Sequence, residues 1–567
     1  MDKILEKGGK KVNLLGNEAI VRGAIEAKVD FVCQYPGTPS SDVGDNFYRL
    51  KNEISKINPN FYFEYSVNEK VALEAAAGAA FSEARALVSF KNFGLNVASD
   101  FFFPLAQIKI PGQLVIFIAD DPSCWSSAQS EQDSRDQISA SNLPMLEPSS
   151  PQEAKDFVIL AFQLSRKFKI PVVIRHTTRI SHQSAPVLLG KIKNVKSQNF
   201  KFTKDPSRFV TMPPRVLEMK IDLLKRKEEI RKLSEKSSLN KIFNQNQKAK
   251  IGIVSSGVGF LYSAEAVSNL NLKIPILKLG FVFPLPKNKI KKFLKDKKEI
   301  LVVEEGDPFL ERKIKELAFQ TGWRGKIYGK EGSLEGGRIW KERKFYLPIA
   351  GELKPEYVKE ALFKILNKKS KYKAHLKKFL EIKIPPRPPL LCTNPPCPYW
   401  GVVRAIKNTF KPKEIIFGGE IGCYMLFSHK FIGLQDYLFC MGSDIGIAHG
   451  ISKRTNQKVI AFVGDSSFFH AALPQLLNAS FHKSSPLIIV MDNQTTAMTG
   501  HQPRPDAEIK IENIAKAFGI RNVKVVDQVK EEKEFEKTLK EFINLKGPKV
   551  IVARHICALL EKRLKKK

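Results

Sequence analysis

Apolar and polar positions along this chain come in alternating blocks, short continuous apolar runs separated by longer segments with apolar residues at helical spacing. Near the start, Asn17-Glu18-Ala19-Ile20-Val21-Arg22-Gly23-Ala24-Ile25-Glu26-Ala27 has the spacing of an amphipathic helix, with Asn17 as its expected cap. The run Phe31-Val32-Cys33-Gln34-Tyr35 then predicts a buried strand, closed by the turn Pro36-Gly37-Thr38-Pro39-Ser40-Ser41. A second helix opens at Asn68-Glu69 and continues through the small residues Ala75-Ala76-Ala77-Gly78-Ala79-Ala80. Further strands are predicted at Ala86–Phe90, Leu114–Ala119 and Val172–Ile174.

Strands interleaved with helices imply an α/β fold, with doubly wound parallel sheets covered on both faces. The rhythm divides the 567 residues into several domains. A first α/β domain is expected over residues 1–190, followed by a polar, Lys-rich connection with helical segments at 191–248. Order returns at Ala249-Lys250-Ile251-Gly252-Ile253-Val254. With strands at Ile274–Leu279 and Ile300–Val303, it predicts a smaller α/β domain over 249–350. Residues 351–389 read as a charged linker ending in the semi-rigid Pro385-Pro386-Arg387-Pro388-Pro389, and a third α/β domain follows over 390–567.

Two apolar runs of this third domain end in polar turns. Val459-Ile460-Ala461-Phe462-Val463 runs into Gly464-Asp465-Ser466, and Leu487-Ile488-Ile489-Val490-Met491 runs into Asp492-Asn493-Gln494-Thr495. Between them His470-Ala471-Ala472-Leu473-Pro474-Gln475-Leu476-Leu477 has room to form one helix. In a parallel sheet ligands collect beyond the carboxyl ends of the strands, where both turns would lie. Mg²⁺ takes a few hard oxygen ligands completed by phosphate, and Asp465, Asn493 and a main-chain carbonyl near Thr495 would supply three. On residue types alone the same stretches also suit ordinary polar turns, since Gly-Asp and Asp-Asn are common loop residues.

Composition narrows the classes. A hydrophobic content of 43% with 27% charged residues is that of a soluble globular protein, and no apolar run approaches the roughly twenty residues that cross a bilayer. The start Met1-Asp2-Lys3-Ile4-Leu5-Glu6-Lys7-Gly8 lacks a signal peptide's apolar core, so no membrane partner and a cytoplasmic location are expected. The net charge of +35 invites a nucleic-acid reading. Its lysines gather instead in polar stretches at 219–249, 286–299, 359–383 and in the tail Lys562-Arg563-Leu564-Lys565-Lys566-Lys567, with no aromatic-interleaved stripe or nucleic-acid module. They read as solvated faces that would also steer an acidic partner such as an electron carrier. The seven cysteines, Cys33, Cys124, Cys392, Cys397, Cys423, Cys440 and Cys557, contain no Cys-x₂-Cys pair or ferredoxin run, and they read as plain thiols of a reducing compartment.

Segments in order along the chain carry a family resemblance: Tyr35-Pro36-Gly37-Thr38-Pro39-Ser40-Ser41, Asn68-Glu69-Lys70-Val71-Ala72-Leu73-Glu74, Gly94-Leu95-Asn96-Val97-Ala98, Glu131-Gln132-Asp133-Ser134-Arg135, Gly422-Cys423-Tyr424, and Thr495-Thr496-Ala497-Met498-Thr499-Gly500-His501-Gln502-Pro503. With the Gly464-Asp465-Ser466 turn, the chain resembles the α subunits of indolepyruvate ferredoxin oxidoreductases. These are thiamine diphosphate (ThDP) enzymes of the 2-oxoacid:ferredoxin oxidoreductase family.

The resemblance implies that the first domain grips the aminopyrimidine of ThDP and the third its diphosphate with Mg²⁺. The middle domain would be similar to the transketolase C-terminal domain. Glu69 matches the glutamate at the pyrimidine N1′ and Thr38 the threonine that contacts the substrate carboxylate; taken by themselves they suit a helix-start carboxylate and a turn cap. Gly422, Cys423, Gly464, Asp465, Ser466, Asn493, Thr495, Thr496 and Met498 are the implied cofactor contacts, with Asp465, Asn493 and Thr495 on the metal. Cys423 would serve as a small apolar filler and need not react, and His470 and His501 sit near the diphosphate turns.

The implied reaction is oxidative decarboxylation of an aryl 2-oxoacid to its acyl-coenzyme A, with ferredoxin as acceptor, in a complex with a β subunit as a dimer or heterotetramer. Family α subunits carry a Cys-rich ferredoxin-like domain that has no counterpart after Ile556-Cys557, so iron–sulfur clusters are expected on a separate subunit. Alternatives are a non-oxidative decarboxylase or a non-catalytic subunit. Tyr399 stands where the family has a histidine, as do Asn92 and Trp125, which alters proton handling and pocket shape.

Overall fold

Apolar runs become central strands because, buried on both faces, they satisfy their backbone only by pairing. The computed structural model describes residues 2–127, 129–244, 249–331, 346–367, 391–505 and 508–565. The chain divides into two compact units, Met1–Ile382 and Lys383–Lys567.

The first unit holds a seven-stranded sheet in the order Phe281–Phe283, Met145–Leu146, Val172–Thr177, Gln113–Asp120, Arg85–Lys91, Phe31–Gln34, Tyr62–Tyr65. All neighbours run parallel except the edge strand Phe281–Phe283, which pairs antiparallel with Met145–Leu146. Helices Gly16–Glu26 and Pro151–Phe168 pack against each other, and Gly23 lets them close: a Cβ there would lie 2.4 Å from the Lys155 carbonyl oxygen. Asn17 is not the helix cap. The helix starts one residue earlier, directly after the strand Lys11–Leu15, and Glu18 reaches back to accept the Leu15 N–H at 2.8 Å. That frees the Asn17 amide to donate to the Pro39 carbonyl at 2.7 Å, tying the helix to the Thr38 turn.

A five-stranded sheet in the same unit runs Lys326–Tyr328, Glu299–Val303, Ile251–Ser255, Ile276–Leu279, Asn240–Phe243, the last antiparallel. Two expected boundaries shift. The connection at 191–248 contains the helix Arg215–Lys236 and then the strand Asn240–Phe243, so this sheet begins before residue 249. The expected linker likewise starts too early, because helix Pro355–Ile365 buries Val358, Ala361, Leu362 and Ile365 in one core with Ile251, Ile253, Leu301 and Val303. Its lysines read as linker charge, yet Val358, Leu362 and Ile365 recur at helical spacing and set the packing. Pro385–Pro389 and the last two lysines of the tail lie outside the described residues.

The seven- and five-stranded sheets are joined by buried charge. Arg135 and Arg175 are fully buried. Arg135 donates to Glu304 Oε2 and to the Glu305 and Asp307 carbonyls, each at 2.8 Å, while Asp133 Oδ2 accepts the Asp307 N–H at 2.8 Å. Arg175 holds Asp120 at 2.8 Å and pairs with Glu147. The Glu131–Arg135 segment is thus a joint between sheets.

The second unit is built on one six-stranded, wholly parallel sheet in the order Tyr437–Leu438, Ile415–Gly419, Lys458–Gly464, Leu487–Asp492, Lys549–Arg554, Asn522–Val526. Lys458–Gly464 and Leu487–Asp492 are neighbours, with Gly464 opposite Met491. Their carboxyl ends open side by side, and the helical segment between them runs from Asp465 to Phe481.

Candidate functional site

In the first unit Glu69 is the first residue of helix Glu69–Phe81, whose cap Asn68 accepts the Val71 N–H at 2.8 Å. The Glu69 side chain is buried, and Gly94 leaves it room: a Cβ at Gly94 would lie 2.5 Å from Glu69 Cγ. Two motif segments that are distant in sequence therefore meet through one carboxylate and one missing side chain. Thr38 is half-buried in a turn braced on both sides. Ser40 Oγ donates to the Gly37 carbonyl at 2.7 Å, and Gln34 Nε2 donates to the Ser40 carbonyl at 2.8 Å. Lys91 lies against Gly37, with Nζ 3.0 Å from the Ser126 carbonyl and 3.4 Å from Asp121. Asn92 starts the helix Asn92–Gln107 and donates to the Gln132 carbonyl at 3.1 Å, holding two motif segments together without a titratable ring.

In the second unit the two turns interlock. Asp465 Oδ1 accepts the Ser466 N–H at 2.7 Å, and Oδ2 accepts the Gln494 N–H at 2.8 Å from the opposite turn. Ser466 Oγ and Thr496 Oγ1 are 2.9 Å apart, and Asn493 Oδ1 accepts the Thr495 N–H at 3.1 Å. Arg504 Nη1 lies 3.1 Å from Asp465 and also pairs with Asp492. Burial, aided by the neighbouring Asp492, pushes the Asp465 carboxyl up to about 7 against the opposing pull of Arg504.

The donor set fits a divalent cation. A buried carboxylate whose charged form is disfavoured, an amide oxygen and main-chain carbonyls at one sheet edge are hard ligands of the kind Mg²⁺ takes. Asp465, Asn493 and the Thr495 carbonyl would hold it, with Ser466 and Thr496 alongside. Met498 is 41% exposed, on the short helical turn Ala497–Thr499. His470 is buried in the helical segment after Asp465, and His501 has a positive φ of 68° and lines an adjacent cavity.

That cavity, about 200 Å³, holds what the spacing of the cysteines hid. Cys392, Cys397, Cys423 and Cys557 all line it, beside Tyr399 and Asn493. Burial pushes the thiols of Cys397 and Cys423 up to about 12. Four thiols have the ligand chemistry of zinc or iron–sulfur sites, though no three His, Cys, Asp or Glu side chains among the described residues stand close enough to grip one ion. All four are free thiols, gathered around one cavity although far apart in sequence. Tyr399 is buried and donates to the Met491 carbonyl at 3.2 Å, so it supports the end of a central strand.

Sequence reasoning also missed Arg504, its pairing with Asp492, and Glu420. Arg504, well beyond the Asn turn in sequence, differs from a loop polar residue only in being paired with Asp465 and Asp492. Glu420 ends the apolar run Ile415–Gly419, a position that was a readable signal.

Family models match along most of the chain. Residues 22–243 match the family described as "Pyruvate flavodoxin/ferredoxin oxidoreductase, thiamine diP-bdg", 240–383 the "Indolepyruvate oxidoreductase domain", and 420–553 the "Thiamine pyrophosphate enzyme, C-terminal TPP binding domain". These family matches define a thiamine diphosphate-dependent 2-oxoacid oxidoreductase. Proteins named indolepyruvate oxidoreductase subunit IorA are similar over nearly the whole chain. That of Methanothermobacter thermautotrophicus is 38% identical across 98% of this chain and 88% of its own length. That of Archaeoglobus fulgidus is 36% identical across 100% and 89%, and that of Thermococcus kodakarensis 38% across 98% and 87%. The chain belongs to the indolepyruvate oxidoreductase subunit IorA family.

Proposed function

We propose that this subunit binds ThDP with Mg²⁺ and catalyses the oxidative decarboxylation of an aryl 2-oxoacid of the indolepyruvate type, with coenzyme A as acyl acceptor and ferredoxin as electron acceptor. The observation that carries it is the interlocked pair of turns, Gly464-Asp465-Ser466 and Asp492-Asn493-Gln494-Thr495, at adjacent ends of a parallel sheet. The bound cofactor would supply an electron sink for loss of CO₂. Asp465, Asn493 and the Thr495 carbonyl hold the metal in this reading, and the Gly464–Ser466 turn brings main-chain groups to the diphosphate. Glu69 shares a proton with the pyrimidine N1′; its burial beside Gly94 keeps water from competing for that carboxyl. Thr38, in a turn held by Asn17, Gln34 and Ser40, orients the substrate carboxylate. Gly422 and Cys423 border the site as backbone and apolar filler.

A β subunit and a ferredoxin or separate iron–sulfur subunit complete the assembly, as a dimer or heterotetramer in the cytoplasm. The net charge of +35 supports an acidic electron carrier as partner. The test is ThDP binding with Mg²⁺ by calorimetry, followed by anaerobic turnover of indolepyruvate with coenzyme A and a ferredoxin. Asp465→Ala is expected to weaken ThDP binding at least about tenfold. Wild-type affinity in that variant would contradict the metal assignment, and aldehyde release without an acceptor would contradict the oxidative route.

A further inference from the structure

At the start of the Gly464–Ser466 turn lies a buried carboxyl that belongs to neither turn. Glu420 follows the strand Ile415–Gly419 and is fully buried. Among the described residues no lysine or arginine pairs with it, and burial pushes its carboxyl up to about 7. A side chain that costs so much to bury is kept for its bonds.

Those bonds converge from three segments. Tyr424, in the loop after Gly422–Cys423, donates its hydroxyl to Glu420 Oε1. The Gly442 N–H, at the start of helix Ser443–Arg454, donates to Oε2. The Gly464 N–H, the first of the diphosphate turn, is shared between Tyr424 Oη at 2.8 Å and Glu420 Oε1 at 3.2 Å. Glycines keep the layer tight: a Cβ on Gly422 would lie 2.3 Å from Tyr424 Cε1, and one on Gly464 would lie 3.1 Å from the same atom. Close by, Asp444 accepts the Phe462 N–H at 2.6 Å and braces the same strand two residues earlier.

We propose that Glu420 is the positioning residue of the diphosphate site, its carboxyl holding the Gly422–Cys423 loop, the start of helix Ser443–Arg454 and the Gly464–Ser466 turn in register for the Mg²⁺–diphosphate group. The inference rests on the ThDP reading above and adds to it a residue that meets no cofactor atom. Glutamine keeps one carbonyl acceptor and turns an N–H toward a donor, so it removes part of the network. Alanine removes all of it.

The experiment measures binding of ThDP and of inorganic pyrophosphate, each with Mg²⁺, to the full chain and to Glu420→Ala, Glu420→Gln and Tyr424→Phe, beside their thermal unfolding. Kd for both ligands is expected to rise about ten- to a hundredfold in Glu420→Ala and by less in Glu420→Gln and Tyr424→Phe. A purely structural role would lower the melting temperature and leave the Kd of the folded protein unchanged. If wild type binds and folded Glu420→Ala binds within about twofold of it, the positioning role is overturned. If Glu420→Ala does not fold, unchanged Kd in both Glu420→Gln and Tyr424→Phe overturns it instead. Failure of wild type itself to bind ThDP sinks the functional reading, a result distinguishable from either.

Discussion

Gly94 shows how much a single missing side chain can specify. The space a Cβ would take is filled by Glu69, with Cγ 2.5 Å and Oε1 3.0 Å from that position. Gly94→Ala is expected to push the carboxyl aside. Turnover should fall about tenfold to a hundredfold, as small misplacements of reacting groups do, while the melting temperature moves little. Kinetics and a thermal melt check both. Unchanged turnover would mean that Glu69 is not held by this contact. Such pairings explain what was legible at residue level. Glu69 and Asp465 could be picked out because each opens or ends an element in a recognisable motif. Arg504 and the four thiols around one cavity could not, because their meaning lies in who faces whom, and sequence separation carries little of that.

At the scale of elements, central strands were readable because their apolar runs are continuous: Lys458–Gly464 and Leu487–Asp492 coincide with the runs that predicted them. Edge strands such as Asn240–Phe243 and Phe281–Phe283 were not, because strands of three or four residues offer too few positions to show a pattern. Helix Pro355–Ile365 reads as linker because its charge outweighs its stripe. The joint between the seven- and five-stranded sheets of the first unit is also invisible in a linear pattern, since buried arginines read as surface charge. Arg135→Ala is expected to destabilise this unit by about 3–5 kcal/mol, because it leaves Asp133 and Glu304 buried without their partner. Chemical denaturation of the full chain checks this, and a shift below about 1 kcal/mol would show that solvent or a neighbour takes over.

At the scale of the whole molecule, high positive charge at the surface coexists with lysines drawn inside. Lys549 is 1% exposed, with Nζ donating to the Ser485 carbonyl at 2.7 Å and the Leu545 carbonyl at 3.1 Å. Burial pulls its ammonium down to about 8. In the unfolded chain a lysine keeps its proton to about 10.4, so between these values the unfolded state binds more protons and stability rises with pH. Below about 8 both states are protonated and this contribution is flat. The stability difference between wild type and Lys549→Met, followed by denaturant titration from pH 7 to 10.5, is therefore expected to change by about 1–3 kcal/mol in that window. A difference independent of pH would show that the lysine titrates normally.

Arg504 gives the two acidic turns of the second unit a counter-charge that belongs to the chain itself. Were the proposed Mg²⁺ to load there, it would meet a cation the chain already supplies, so loading would be an exchange of one cation for another and its strength a difference between two affinities.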